Sequence, residues 1–258
     1  MNGAIRVVLV YGMLAGQTFA CEIRFALGDD EAMPYRAGAG PQVRGDKPGI
    51  ALELVEQASQ AIDCKAVFTR LPSKRVLAET ISGRFDGSFM YSYDPDRARE
   101  LAYPMKQGAA DGNRRIATLS YYLYRRKDSP VDWDGKQISG VVGNIGVNLG
   151  WSISKDLAAK GHGIEEALGS QQNFSKLAMG RIGAYATQDI DGDYLLAAGK
   201  FPQIERLPQP LNTKHYFVVF NQPFARSKPD LVENFWTQLG LIREKQFGNL
   251  LKRYQAND

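Results

Sequence analysis

The sequence predicts an α/β protein with a parallel or mostly parallel sheet. Apolar strand-like runs alternate with helix-length segments from Cys21 onward, and this alternation starts afresh after Pro130. Strands that alternate with helices indicate a sheet that helices cover on both faces. The restart indicates a second lobe, and the chain is long enough for two lobes of about a hundred residues each.

The first twenty residues have the pattern of a secretory signal peptide. Arg6 precedes the apolar run 7–15, which is too short to span a bilayer, and a short exit segment leads to Cys21. We therefore expect the mature chain to begin at Cys21 and to be soluble outside the cytoplasm. A lipid anchor on Cys21 is a second interpretation. Thr18 and Phe19 weaken it, because a lipidation signal has an aliphatic and a small residue there.

Charge and motif content exclude several classes of protein. The net charge is only +4, and the Lys and Arg residues are scattered without interleaved aromatic residues, which argues against nucleic-acid binding. Two cysteines without clustered histidines argue against a metal site. The glycine-rich stretch 143–150 has neither a Gly-Lys-Ser/Thr ending nor dinucleotide-binding spacing, so no cofactor is predicted.

The two cysteines, Cys21 and Cys64, each begin a strand-like run. If the two strands are adjacent and parallel, their starts lie side by side. In an oxidising compartment this arrangement favours a disulfide. Two free buried thiols, or a lipid on Cys21, are the alternatives.

In the first half, residues 50–62 are predicted to form a helix because apolar residues recur along one face. This stripe consists of Ala51, Leu54, Val55, Ala58, Ala61 and Ile62. A strand over residues 64–71 follows and completes a β-α-β unit. Ser73 is predicted to cap a further helix that Gly83 ends, before a strand over residues 85–91.

The second half repeats the alternation. Residues 115–126 form a long, aromatic-rich predicted strand, and Pro208 with Pro210 is expected to break the pattern before the last strand. The other predicted elements are strands over residues 138–142, 182–187 and 215–220, a helix capped by Ser152 or Ser154 and ending near Gly161, a helical stripe over 174–179, and helices over 228–254.

The segment 85–103 has the construction of an anion-binding turn. Asp94 suits the N-cap and Pro95 the first helical position, which places Arg97 in the first turn. There, free N–H groups and the helix dipole favour a carboxylate, and a guanidinium adds a charged, bidentate donor. The alternative is a surface helix in which Arg97 pairs with Asp94 or Glu100 in solvent.

The chain resembles the family-3 periplasmic solute-binding proteins, which are extracytoplasmic receptors associated with polar amino acid ABC transporters. The matching segments extend over nearly the whole mature length. They are Met33-Pro34-Tyr35, residues 48–54, 71–75 and 83–87, Asp96-Arg97 six residues before Tyr103-Pro104, residues 134–141, residues 179–182, and residues 231–254.

The resemblance implies the two-lobed periplasmic binding protein fold of type II. Two crossover strands would join lobe 1, residues 21–115 plus 215–258, to lobe 2, residues 116–214. A small-molecule ligand would bind in the cleft, and hinge closure would bury it for reading by an ABC permease or membrane sensor. The implied protein is a periplasmic monomer without enzymatic activity.

The resemblance also implies roles for residues. Arg97 would bind the ligand's α-carboxylate. Tyr35 and Tyr91 would sandwich the ligand, with Met90 and Ser92 beside Arg97. In lobe 2, Asn144, Trp151 and Ser152 are predicted ligand contacts. The alternative for the tyrosines is packing in the rim or core, and for the segment 143–151 a tight turn with Trp151 between the lobes.

One departure from the family concerns the ligand's amino group. Gln188 stands where amino-acid receptors have an aspartate for the α-ammonium, and Asp189 follows it. Either Asp189 substitutes for it, or the ligand is not an ordinary amino acid. Two further functions stay open: a dehydratase-like enzyme in the cleft, although His162 and His215 lack evident catalytic partners, and a secreted partner-binding protein without a ligand.

Overall fold

The structure is a computed structural model that describes Phe19 and residues 21–255. The predicted signal peptide, residues 1–20, lies outside the described residues apart from Phe19. Among the described helices, none is both long enough and apolar enough to cross a membrane.

The described residues form strands and helices in alternation. The strands are β1 (Cys21–Gly28), β2 (Cys64–Leu71), β3 (Gly87–Ser92), β4 (Leu101–Ala102), β5 (Met105–Lys106), β6 (Ala109–Ala110), β7 (Ala117–Arg126), β8 (Asp132–Trp133), β9 (Ile138–Ser139), β10 (Ile145–Asn148), β11 (Ile164–Ala167), β12 (Ala184–Gln188) and β13 (Ile204–Asn221). The helices are α1 (Ile50–Gln60), α2 (Ser73–Ile81), α3 (Arg97–Glu100), α4 (Ile153–Ala159), α5 (Ser170–Ala178), α6 (Asp189–Ala197), α7 (Gln222–Ser227) and α8 (Pro229–Gln255).

The main sheet is mixed and has the strand order β11-β10-β12-β7-β13-β3-β1-β2, with β4 also paired to β13. The pairs β1/β2, β1/β3, β10/β11 and β10/β12 are parallel. The strands β7 and β13 run antiparallel to each other and to their outer neighbours β12 and β3. The predicted α/β class is therefore confirmed, with two antiparallel strands in the middle of the sheet.

The described residues form five hydrophobic clusters, and the two largest, the first and the second core, lie on either side of these central strands. The first core contains residues of β1, α1, the start of β7, the end of β13 and α8. The second core contains residues of the middle of β7, of β8 to β10, of α4, of β12 and of the start of β13. The long strand β13 reaches both, because it pairs with β7 from Ile204 to Tyr216 and with β3 from Tyr216 to Phe220.

Helix α1 forms where most of the apolar stripe predicts it, and its buried face packs into the first core. It ends at Gln60, however, so Ala61 and Ile62 of the predicted stripe lie in the turn that follows, where Ala61 is exposed. The helix begins directly after Gly49, whose φ is +122°. A side chain there would place Cβ 2.2 Å from the carbonyl oxygen of Tyr35, so only glycine fits. The start of α1 therefore lies in contact with the segment that carries Tyr35.

Some predicted elements were wrong. The expected strand 138–142 is only β9, a two-residue partner of β8. The strand that joins the second core here is β10, which lies inside the glycine-rich stretch. The prediction also missed β11 and α6. The prolines Pro208 and Pro210 do not end the strand. The register of β13 shifts on both sides of Pro210, because an irregular position tolerates a residue without an N–H.

Ser73 begins α2 but does not cap it. Pro72 occupies the cap position, and the Ser73 hydroxyl donates to Oδ1 of Asp30. At the other end, Gly83 adopts φ +81° and follows the helix as predicted.

The predicted disulfide between Cys21 and Cys64 is present. Strands β1 and β2 pair in parallel with Cys21 opposite Cys64, so the register brings the two sulfur atoms together. The alternative of two free thiols is therefore wrong. Because the sulfur of Cys21 is bonded to Cys64, it is not free to carry a lipid.

Removing this bridge should destabilise the protein. We expect the double substitution Cys21→Ala and Cys64→Ala to lower the free energy of unfolding by about 2–4 kcal/mol, since a bridge across a long loop restricts the unfolded chain. Urea unfolding of both proteins measures the difference. Peptide mapping without reductant should give a linked Cys21–Cys64 peptide, and two free thiols would contradict the assignment.

Candidate functional site

A cavity of about 780 Å³ opens at the carboxyl ends of the parallel strands. On one side lie the ends of β1 and β3, the start of α2, and Arg97. On the other side lie the loop 149–152 after β10 and the first residues after β12. Carboxyl ends of parallel strands are where open α/β sheets place binding sites. The cavity is therefore lined by elements from both cores.

Arg97 lies half-buried on this cavity, as predicted. Nη1 donates to the Ser92 carbonyl oxygen at 2.7 Å and to the Tyr103 hydroxyl at 3.3 Å, and Cζ lies 5.1 Å from the centre of the Tyr91 ring. Within the described part of the chain, its guanidinium forms no ion pair. The alternative in which Arg97 pairs with Asp94 or Glu100 is therefore wrong. The positive charge faces the cavity with neutral partners only.

Asp94 holds the turn that carries Arg97. Oδ1 of Asp94 accepts the Arg97 backbone N–H at 2.9 Å, which is the capping bond expected from the sequence, although regular helix starts only at Arg97. This hydrogen bond lowers the pKa of Asp94 from its usual value. The other oxygen, Oδ2, lies 3.7 Å from Nζ of Lys155 on α4, so the pair bridges the two sides of the cavity.

The remaining site residues predicted on the first side also line the cavity: Tyr35, Met90, Tyr91 and Ser92. Tyr35 is 3% exposed, and its ring centre lies 6.2 Å from that of Phe247, on which it stacks. Most of the side chain is therefore packed in the first core. Met90 has φ +67° and is the extra residue of a β-bulge, since Tyr91 pairs with Phe217 and Phe89 with Val218. Bulges redirect side chains at sites of this kind.

On the second side, Trp151 and Ser152 line the cavity and Asn144 does not. The Trp151 ring meets Tyr121 edge-on at 6.0 Å. Oγ of Ser152 accepts from Nζ of Lys214 at 3.0 Å, and that ammonium also pairs with Asp156 at 2.6 Å. Asn144 is exposed and directly precedes β10, whereas the lining residues of this region, 149–152, follow the strand.

Gln188, the last residue of β12, lines the cavity, whereas Asp189 does not. Nε2 of Gln188 donates to the Tyr216 hydroxyl at 2.7 Å and to the Tyr121 hydroxyl at 3.4 Å. Oδ1 of Asp189 accepts the Ile190 N–H at 2.9 Å. The sequence hypothesis that Asp189 takes over the cavity position therefore has no support in this arrangement.

Sequence reasoning missed several cavity residues, among them Asp30, Arg36, Tyr121, Asp191 and Tyr216. Asp30 and Arg36 form an ion pair at 2.6 Å in the loop after β1. Burial raises the pKa of Asp191 to about 7, against the opposing effect of Arg36 and with smaller contributions from Asp30 and Asp189. The sequence could have indicated Asp191 only through a predicted helix start directly after Gln188, which would have placed Asp191 in the first turn of α6.

The described residues contain no group of three or more His, Cys, Asp or Glu side chains arranged to hold a metal ion. Neither histidine is among the residues that line the cavity. Nδ1 of His215 hydrogen-bonds with the Thr118 hydroxyl at 3.0 Å on an exposed part of β13. Acidic, basic and aromatic side chains thus make up most of the polar lining of the cavity.

No protein-family model and no curated protein matches this chain. A histidine kinase sensor domain with similarity to periplasmic binding proteins matches with a TM-score of 0.71 and 16% identity, covering 91% of this chain and 96% of that one. An arginine 3rd transport system periplasmic binding protein from Legionella pneumophila matches with 0.70 and 10%, covering 91% and 100%. The GluR0 ligand-binding core from Nostoc punctiforme, in complex with (L)-glutamate, matches with 0.69 and 10%, covering 91% and 100%. These similarities confirm the predicted type II periplasmic binding protein fold.

Asp191 should make stability depend on pH. An unfolded aspartate has a pKa of about 3.9, and in the folded protein the value is raised to about 7. The folded state therefore binds this proton more tightly, and its stability falls as pH rises from about 4 to about 7. We expect Asp191→Asn to be more stable than the wild type by roughly 1–2 kcal/mol at pH 8, after allowance for solvent screening in the cavity.

Urea unfolding at pH 4 and pH 8 measures this difference, which should disappear at the lower pH. Asp128→Asn is the matched control, since the side chain of Asp128 is 75% exposed. A stability gain of Asp191→Asn that is equal at both pH values would contradict the assignment.

Proposed function

We propose that the protein is an extracytoplasmic solute-binding receptor that captures a small anionic or zwitterionic solute in the cavity. The observation that carries the proposal is the guanidinium of Arg97, which faces the cavity with neutral hydrogen-bond partners only. A buried or half-buried cation without a counter-ion favours an anionic guest. A carboxylate is the group that fits its planar, bidentate donors best.

The two sides of the cavity act as separate lobes in this proposal. Lobe 1 consists of residues 21–115 and 215–258, and lobe 2 of residues 116–214. A solute that contacts Arg97 in lobe 1 together with Trp151 or Ser152 in lobe 2 would stabilise the closed arrangement over the open one. The ion pair between Lys155 and Asp94 supports the closed arrangement as well.

The closed protein would then be read at the membrane by an ABC permease or a sensor. Support comes from the structural neighbours, one of which is a periplasmic binding protein of a transport system and another a histidine kinase sensor domain. We propose that the protein acts as a periplasmic monomer, is not an enzyme, and needs no cofactor or metal ion.

Substitution of Arg97 tests this function. A thermal-shift screen of the full chain against amino acids, organic acids and small peptides should find solutes that raise the melting temperature, because a ligand stabilises the state to which it binds. We expect Arg97→Ala to abolish the shift, since the carboxylate loses its charged partner, and to leave the melting temperature without ligand nearly unchanged.

Arg99→Ala is the matched control. Arg99 lies on the same short helix, but its side chain is 78% exposed and pairs only with Asp96 at 3.4 Å. This variant should bind as the wild type does. Equal affinities of the wild type and Arg97→Ala would remove Arg97 from the site, and a screen without any stabilising solute would count against a receptor.

A further inference from the structure

We propose that the solute carries a neutral hydroxyl, and not an ammonium group, next to the carboxylate that Arg97 binds. Small 2-hydroxy carboxylates have this chemistry. The inference rests on the proposed receptor function, because it concerns the ligand of the same cavity. It makes Gln188 the residue that determines specificity.

The hydrogen bonds of Gln188 fix what its amide offers to a ligand. Both hydrogens of Nε2 are donated to tyrosine hydroxyls, at 2.7 Å to Tyr216 and at 3.4 Å to Tyr121. The Tyr216 hydroxyl in turn donates to that of Tyr121 at 3.2 Å. The amide oxygen is thus the remaining polar atom of Gln188, and it is an uncharged acceptor.

An uncharged acceptor in this position discriminates between a hydroxyl and an ammonium group. Gln188, Tyr121 and Tyr216 are 8%, 2% and 5% exposed, so a ligand group that reaches them loses its water. A neutral hydroxyl needs one acceptor to replace that water. A desolvated ammonium needs a negative charge, and none of these three side chains supplies one.

The position of Tyr216 puts this acceptor near the carboxylate site. In the sheet, Tyr216 on β13 pairs with Ser92 on β3, and the Ser92 carbonyl oxygen accepts from Arg97. The hydroxyl of the same tyrosine contacts Gln188. Arg97 and Gln188 therefore lie on one cavity and are linked through the same residue, which lets one ligand contact both.

The carboxylates of the cavity interact with arginine side chains. Asp30 pairs with Arg36, and Asp29, which also lines the cavity, interacts electrostatically with Arg70. The charge of Asp191 also interacts with Arg36, and burial raises the pKa of Asp191 to about 7. Asp189 accepts a backbone N–H and does not line the cavity. The charge of Asp191 also acts on Tyr121 and Tyr216, whereas Gln188 itself offers a ligand only an uncharged acceptor.

Calorimetric titration of the purified full chain tests the inference with three matched pairs of compounds. The pairs share a side chain and differ in hydroxyl against ammonium: lactate and alanine, 2-hydroxy-4-methylpentanoate and leucine, and 3-phenyllactate and phenylalanine. In at least one pair, the hydroxy acid should bind about tenfold or more tightly than the amino acid. Gln188→Glu, which keeps the shape of the side chain and adds a negative charge, should reverse that preference.

Gln171→Glu adds the same charge at an exposed position of α5 outside the cavity lining and should keep the wild-type preference. Tighter binding of the amino acids by the wild type, or an unchanged preference in Gln188→Glu, would overturn the inference and leave the receptor function standing. Binding of other screened solutes but of none of these six compounds would overturn it as well. If nothing in the screen binds, the receptor function itself fails.

Discussion

Continuous pairing along β13 determines how the two cores and the cavity are arranged. This strand of 18 residues pairs with β7 in its first part and with β3 in its last part. Tyr216 lies where the two pairings meet, opposite both Ala117 and Ser92. Because strand pairing fixes the backbone on both sides of Tyr216, this residue and its pairing partners keep their places relative to one another.

The sequence predicted best where the signal is local or where two local signals meet. The apolar stripe of α1 is complete within eleven residues, and the capping role of Asp94 toward Arg97 needs only four. The disulfide combines two such local signals. Cys21 and Cys64 are each the first residue of a strand, and the first residues of two adjacent parallel strands lie side by side. Such predictions depend on periodicity and hydrogen-bonding geometry alone.

Predictions failed where the fold overrides residue preference. Glycines in the stretch 143–150 hide β10. At Gly146, a Cβ would lie 2.4 Å from Cδ1 of Ile182 and 3.0 Å from Oδ1 of Asn173, so a larger residue would require these side chains to move. Missing this strand shifted the predicted site toward Asn144, at the wrong end of β10. Asp191 was missed for a related reason: it depends on a helix start that only the packing after β12 specifies.

The position of Asp94 explains why the guanidinium of Arg97 forms no ion pair among the described residues. A carboxylate three residues away could neutralise the guanidinium, and the site would then lose its attraction for an anion. Instead, one oxygen of Asp94 accepts the backbone N–H of Arg97 and the other faces Lys155 across the cavity. The hydrogen bond to the Asp94 carboxylate contributes about 1.5–3 kcal/mol, whereas the ion pair with the exposed Lys155 contributes about 0–1 kcal/mol. The residue that holds the turn in place thus also leaves the Arg97 charge for the solute.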